Sequence, residues 1–196
     1  MKKKLIIIVS LLLVAFQFKY VSACENQLDG YNTIINEINE TYNTSFQIIT
    51  EKDFYNYDYD QLMNKNYNEY LDDITKIDLH TFKNGLLQTI EESKENIIEV
   101  QLDSNARSTF GTKTVSFYAG NNSMTLRYKY SGSKFDTSYK PGVTVKRISI
   151  NNYFVMNSHT GKFTNSNKTY SVTAQGKIIS NSVVLNNKSF TVNFNL

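Results

Sequence analysis

The sequence predicts an α+β protein in which a helical N-terminal module is followed by an antiparallel all-β sandwich or small barrel. Three observations carry this expectation. Apolar side chains recur at helical spacing between residues 28 and 90. From Thr112 the spacing switches to alternation, punctuated by short Gly- and Asn-containing turn signals. The formal charge, only +3 over 196 residues, also reverses sign between the two parts.

The chain opens on Lys2, Lys3 and Lys4, followed by an apolar run from Leu5 to Phe16 broken by Ser10. That run is too short to cross a bilayer and fits the hydrophobic region of an export signal. Val21 and Ala23 suit cleavage after Ala23, so residues 1–23 read as a signal peptide. Val21-Ser22-Ala23-Cys24 also resembles the lipobox of bacterial lipoproteins. The resemblance implies that Cys24 becomes the mature N-terminus and carries a thioether-linked diacylglycerol. Cys24 is the single cysteine of the chain, which leaves it no disulfide partner. Free secretion with an incidental thiol is the other reading. Abundant Asn, Lys, Ile and Tyr resemble the composition of low-GC Gram-positive bacteria. The expected location is extracellular, either at the outer face of the cell membrane through a lipid anchor or in the medium.

Residues 24–106 form the acidic, mainly helical module. Leu28, Tyr31, Ile34, Ile35, Ile38 and Tyr42 share one helical face, and Asn43-Thr44 ends it. Ser45 to Thr50 reads as a short strand, and Thr50 with Asp53 resembles the N-terminal cap of a further helix. Phe54-Tyr55-Asn56-Tyr57-Asp58-Tyr59-Asp60 fits neither period and reads as a linker whose rings pack on neighbouring helices, with a stacking platform as the functional alternative. Met63, Tyr67, Tyr70, Leu71 and Ile74 form the next stripe, and Asp78 caps a helix carrying Leu79, Phe82, Leu86 and Ile90. Glu91, Glu92, Glu95 and Glu99 read as a solvated face. Ser104 to Ser108 is a polar linker that offers Arg107 as a processing site.

Residues 107–196 form the basic antiparallel β domain, expected to hold roughly six to eight strands. Met124, Leu126, Tyr128 and Tyr130 alternate with Thr125, Arg127 and Lys129, and Phe190, Val192, Phe194 and Leu196 repeat the pattern at the end. Val143 and Val145 change phase to Ile148 and Ile150, which predicts a bulge at Lys146-Arg147. Tyr170, Val172 and Ala174 mark another strand. Turns are expected at Gly120-Asn121-Asn122, Ser131-Gly132, Pro141-Gly142, Thr160-Gly161, Gln175-Gly176 and Asn186-Asn187.

Between Cys24 and Ala106 seventeen acids face five bases, whereas from Arg107 onward twelve bases face only Asp136. Such asymmetry points to an anionic partner for the basic half or to pairing of the two halves within the molecule, with two solvated faces that meet no partner as the alternative. Arg127 and Lys129 should project from one solvent face, with Lys146 and Arg147 joining them as anionic-partner contacts. Catalytic chemistry finds no support. His80 and His159 have no ligand-spaced partner, no glycine-rich phosphate loop exists, and no motif surrounds Cys24. No metal or cofactor is expected, and export makes nucleic acid an improbable target despite the basic half. The sequence therefore points to a non-enzymatic envelope protein that binds an anionic polymer or lipid surface. The alternative is a secreted effector, toxin- or bacteriocin-like, with the acidic half as pro-segment or mask.

Overall fold

The computed structural model describes residues 28–102 and 110–196, so the expected export signal, Cys24 and Arg107 lie outside the described residues. It is an α+β protein with an N-terminal helical segment followed by a β-rich region of antiparallel sheets. Helix α1 spans 28–42 and buries Tyr31, Ile35 and Ile38 from one face. The Tyr31 ring meets Phe82 edge-on at 5.0 Å, and its hydroxyl donates to the Ile77 carbonyl at 2.6 Å. Asn39 then directs the chain into strand β1 (Phe46–Gln47), donating to the Phe46 carbonyl at 2.9 Å and accepting from its N–H at 2.8 Å.

Three short helices follow: α2 (Glu51–Asn56), α3 (Tyr59–Met63) and α4 (Tyr67–Thr75). Thr50 Oγ1 caps α2 by accepting from Asp53 N at 3.2 Å. The stripe from Met63 to Ile74 is split, because Asn64 takes a left-handed conformation (φ 54°) and Asn66 with Glu69 forms a capping box for α4. Within the tyrosine-rich stretch, Phe54 and Tyr59 are buried while Tyr55 and Tyr57 are exposed. Phe54 is the hub of a ring cluster with Tyr55, Tyr59, Tyr67 and Tyr70. The buried Tyr70 hydroxyl accepts from Ile49 N at 2.7 Å. Helix α5 (Leu79–Glu92) starts on Asp78, which accepts from Thr81 N at 3.0 Å, and it buries Phe82, Leu86 and Ile90.

Seven strands lie between residues 110 and 195: β3 (Phe110–Phe117), β4 (Asn122–Ser131), β5 (Lys134–Phe135), β6 (Gly142–Arg147), β7 (Asn152–Thr164), β8 (Thr169–Ser180) and β9 (Val183–Asn195). They divide into two sheets, β3-β4 with β5 and β6, and β7-β8-β9. The second sheet is finished by the acidic half. Strand β1 pairs antiparallel with β9 at Leu185 and Val184, and β2 (Ile97–Gln101) runs parallel to β9 from Thr191 to Asn195. This parallel pairing is not anticipated by the sequence pattern, because the strand is only five residues long and directly follows a helix and an acidic run.

The sheets face each other across rings. Phe117 lies 5.9 Å from Phe154 and 5.1 Å from Phe190, all T-shaped, and Phe135 lies 6.1 Å from Tyr170. Asn122, fully buried, ties one sheet to the other by donating to Phe154 O at 2.8 Å and accepting from Phe154 N at 2.7 Å.

Several expected turns are elsewhere. Thr160-Gly161 and Gln175-Gly176 lie inside β7 and β8, and His159 is a strand residue. These glycines serve close approach: a Cβ on Gly161 would sit 2.1 Å from the Tyr170 hydroxyl, and one on Gly176 would sit 1.9 Å from Val155 O. Asn186-Asn187 falls within β9 opposite the register shift at Gly176/Ile178, with Asn187 at φ 56°. The β8–β9 turn is instead Asn181-Ser182, both at positive φ. No bulge forms at Lys146-Arg147. Strand β6 ends there, Ile148 and Ser149 donate their N–H groups to Asn121 O, and the phase change leaves Ile148 and Ile150 exposed.

Candidate anion-binding face

The alternation of β4 buries Met124, Leu126, Tyr128 and Tyr130 and turns Ser123, Thr125, Arg127 and Lys129 to the other side. Register then assembles a face from three strands. Arg127 sits opposite Thr112 and Gly142, Thr125 opposite Thr114 and Thr144, and Ser123 opposite Ser116 and Lys146. The Thr114 and Thr125 hydroxyls hydrogen-bond at 2.8 Å. The outcome is a ladder of hydroxyls with Arg127 and Lys146 exposed on it. The hydroxyl rows were readable in Thr112, Thr114 and Thr144 but acquire meaning only once the strands are paired.

Lys129 shares this face but is neutralised by Asp136 at 2.7 Å, while its ammonium stands 5.8 Å from the Phe110 ring. The Phe110 ring in turn meets Tyr139 edge-on at 5.5 Å. The Lys129 hydrogen bond, with the Ser138 hydroxyl and N–H, holds the Asp136 carboxyl down at about 2 from an ordinary 3.8. A depressed carboxylate stabilises the folded chain above the ordinary value and loses that contribution as pH falls through the depressed one. A side-chain carboxyl ¹³C titration of Asp136 is thus expected to have its midpoint at about 2, moving up towards 3.8 in Lys129→Met. An unmoved midpoint would mean that the lysine is not the cause.

Arg147 does not join the face. Its opposite on β4 is the buried Asn122, so its side chain leaves on the other side of β6. There it donates to Leu62 O at 3.1 Å and stands 5.1 Å from the Tyr153 ring. Lys177 is drawn inward too, donating to the Tyr59 hydroxyl at 2.7 Å; burial lowers the lysine and raises the tyrosine to about 12.

The ion pairs of the described residues are Lys65–Asp73, Lys76–Asp72, Lys83–Glu37, Lys94–Glu91 and Lys129–Asp136. Each lies within one half of the chain, and among the described residues none joins the acidic half to the basic one. The halves are instead joined by β pairing, by Arg147 on Leu62 O and Lys177 on the Tyr59 hydroxyl, and by amide groups on two carboxylates. Glu92 accepts from Asn152 at 2.7 Å and Asn121 at 3.3 Å, and Glu99 accepts from Asn193 at 2.6 Å and Asn195 at 2.9 Å. The two asparagines hold the Glu99 carboxyl below its usual range. Glu92 is therefore a half-buried anchor, whereas Glu99 keeps the exposure expected of the acidic run while bonding the two asparagines.

Among the described residues no group of three His, Cys, Asp or Glu is placed to hold a metal ion, and no helix is long and apolar enough to cross a membrane. No protein-family model and no curated protein matches the chain. A crystal structure of a two-domain protein of unknown function from Bacteroides thetaiotaomicron is similar to it at 13% identity and a TM-score of 0.33, covering 56% of this chain. The chain spans 63% of that protein's length.

Proposed function

We propose that this is an exported, lipid-tethered envelope protein without enzymatic activity whose basic β region binds an anionic polymer or surface through the outer face of β3, β4 and β6. The observation that carries this reading is that, among the described residues, no ion pair spans the two halves. Cations left uncompensated by the rest of the molecule keep their field for an external partner. Arg127 and Lys146 are the contacts on this face, and Lys129, already paired, contributes less. The hydroxyl ladder between them favours a polymer with sugar or polyol repeats, such as a teichoic acid or an acidic polysaccharide. Four strand positions, about 13 Å, separate the two cations along β4, a spacing suited to successive charges on such a chain. The extracellular location and the tether rest on the export signal and on Cys24. The mask alternative has less support, because β2 is bonded into the sheet over five residues and its release would strip the β9 edge.

The test is cosedimentation of the mature chain with phosphatidylglycerol vesicles and, separately, with an isolated glycerol-phosphate wall polymer. Binding should weaken steeply between about 50 and about 300 mM salt, and Arg127→Glu with Lys146→Glu should weaken it at least about tenfold at the lower salt. Salt-independent binding, or wild-type binding by the double variant, would overturn the reading. In cells, Cys24→Ser should move the protein from the membrane fraction to the medium; retention in the pellet would remove the tether.

A further inference from the structure

A cleft of about 520 Å³ lies between the α3–α4 segment and the β6–β7 end of the sheets, a volume within the usual range for small-molecule sites. Lys65, Lys76 and Arg147 line it together with a single acid, Asp73. Two of the five bases of the acidic half therefore stand at this one place. The lysines each have an acid partner, Lys65 on Asp73 and Lys76 on Asp72 at 3.6 Å, whereas Arg147 has no carboxylate partner among the described residues. The guanidinium is nevertheless held, by Leu62 O on one side and the Tyr153 ring on the other. With Leu62 O and the Tyr153 hydroxyl taking part of the planar donor fork, the remaining N–H groups are left for an oxyanion with their orientation already fixed. The Tyr153 hydroxyl, raised by burial, is pulled back by the charge and hydrogen bond of Arg147 and by the charge of Lys65. Met63, Ile77 and Ile179 supply the apolar part of the remaining wall, and Asn151, Asn181 and Ser182 its polar part. Ile150 stands at the lip, 78% exposed.

We propose that this cleft binds a small organic oxyanion, a phosphate or carboxylate carried on an apolar body. Arg147 and Lys65 take the charged group, and the isoleucines cover the body. The site goes beyond the polymer-binding reading and does not depend on it, since Arg127, Lys129 and Lys146 are not in its wall.

The test uses the isotope-labelled mature chain, titrated with phenyl phosphate and with benzoate while amide shifts are followed by NMR. Saturable shifts at Asn151, Tyr153, Asn181 and Ser182 are expected for at least one probe, and the tighter probe identifies the head group. Benzyl alcohol and inorganic phosphate, each lacking one half of the recognition, should bind at least about tenfold more weakly, a difference of about 1.4 kcal/mol. Arg147→Met should lose at least about tenfold, Arg147→Lys should lose less, and Arg127→Glu should bind as wild type. If Arg147→Met does not fold, Arg147→Lys and Lys65→Met carry the comparison. No saturable shift with either probe, equal binding of benzyl alcohol, or wild-type affinity in the folded Arg147 variants would overturn the proposal.

Discussion

A chain shortened to residues 108–196 is expected not to fold, eluting as aggregate with a collapsed amide spectrum. A chain of residues 24–196, by contrast, should unfold in a cooperative transition. Charge and hydropathy alone would make residue 107 a natural place to cut, but the last strand draws its outer neighbours from the other side of that point. Without β1 and β2, β9 presents unpaired backbone groups at Val184, Leu185 and Thr191 to Asn195. Phe46, Ile49, Leu86, Ile90, Val100 and Leu102 would be lost from the shared core. At about 1.5–3 kcal/mol for each buried side chain, that loss is comparable to the whole stability of a domain, about 5–15 kcal/mol. Circular dichroism and size exclusion decide the matter. A monomeric fragment with dispersed amide signals would show that the sheet closes without the acidic half.

Asn122→Ala is expected to cost about 3–5 kcal/mol, because it leaves both the N–H and the carbonyl of Phe154 without a partner in the interior, each worth about 1–3 kcal/mol. For a chain of this size that corresponds to a fall in Tm of about 10 °C. Asn122→Asp separates the two bonds. Its carboxylate can still accept from Phe154 N but confronts Phe154 O with a second acceptor, and only the protonated acid restores a donor. Burial raises the pKa of such a carboxyl, so this variant should be least stable at high pH and recover as pH falls. The deficit of Asn122→Ala should stay constant. Thermal melts of both variants at pH 5 and pH 8 check this; parallel behaviour would mean that Asn122 acts only through its volume.

How far the sequence carried the fold depends on whether the deciding contact was local. The caps at Thr50 and Asp78 and the alternation of β4 and β9 concern neighbours a few residues apart, and all four are found where the pattern puts them. The turns at Gly161 and Gly176 were misplaced for a different reason. Glycine marks either a turn or a close approach, and Tyr170 and Val155 O, which decide between them, become neighbours only across the strands. The same limit applied to the charged residues. Arg127 and Lys129 share a face by parity alone, but the pairing of Lys129 with Asp136 depends on the hairpin through β5, and the departure of Arg147 depends on its register against Asn122. Glu92 reads as solvent-facing charge in sequence because its amide partners lie far along the chain, on β7 and in the turn before β4.

The position of β9 also has a consequence for the order in which the molecule can be made. Synthesis runs from the N-terminus, so the helices and β1 are complete long before the strand they need exists. Ser45, for example, hydrogen-bonds the carbonyl of Asn186, 141 residues later. Until the last residues emerge, β1, β2 and the apolar face of α5 have no native place to dock, and closing contacts over such separations is slow. The nascent chain must therefore remain open for most of its synthesis. The same delay that hinders early folding would keep the chain in the loose form that the export proposed above demands.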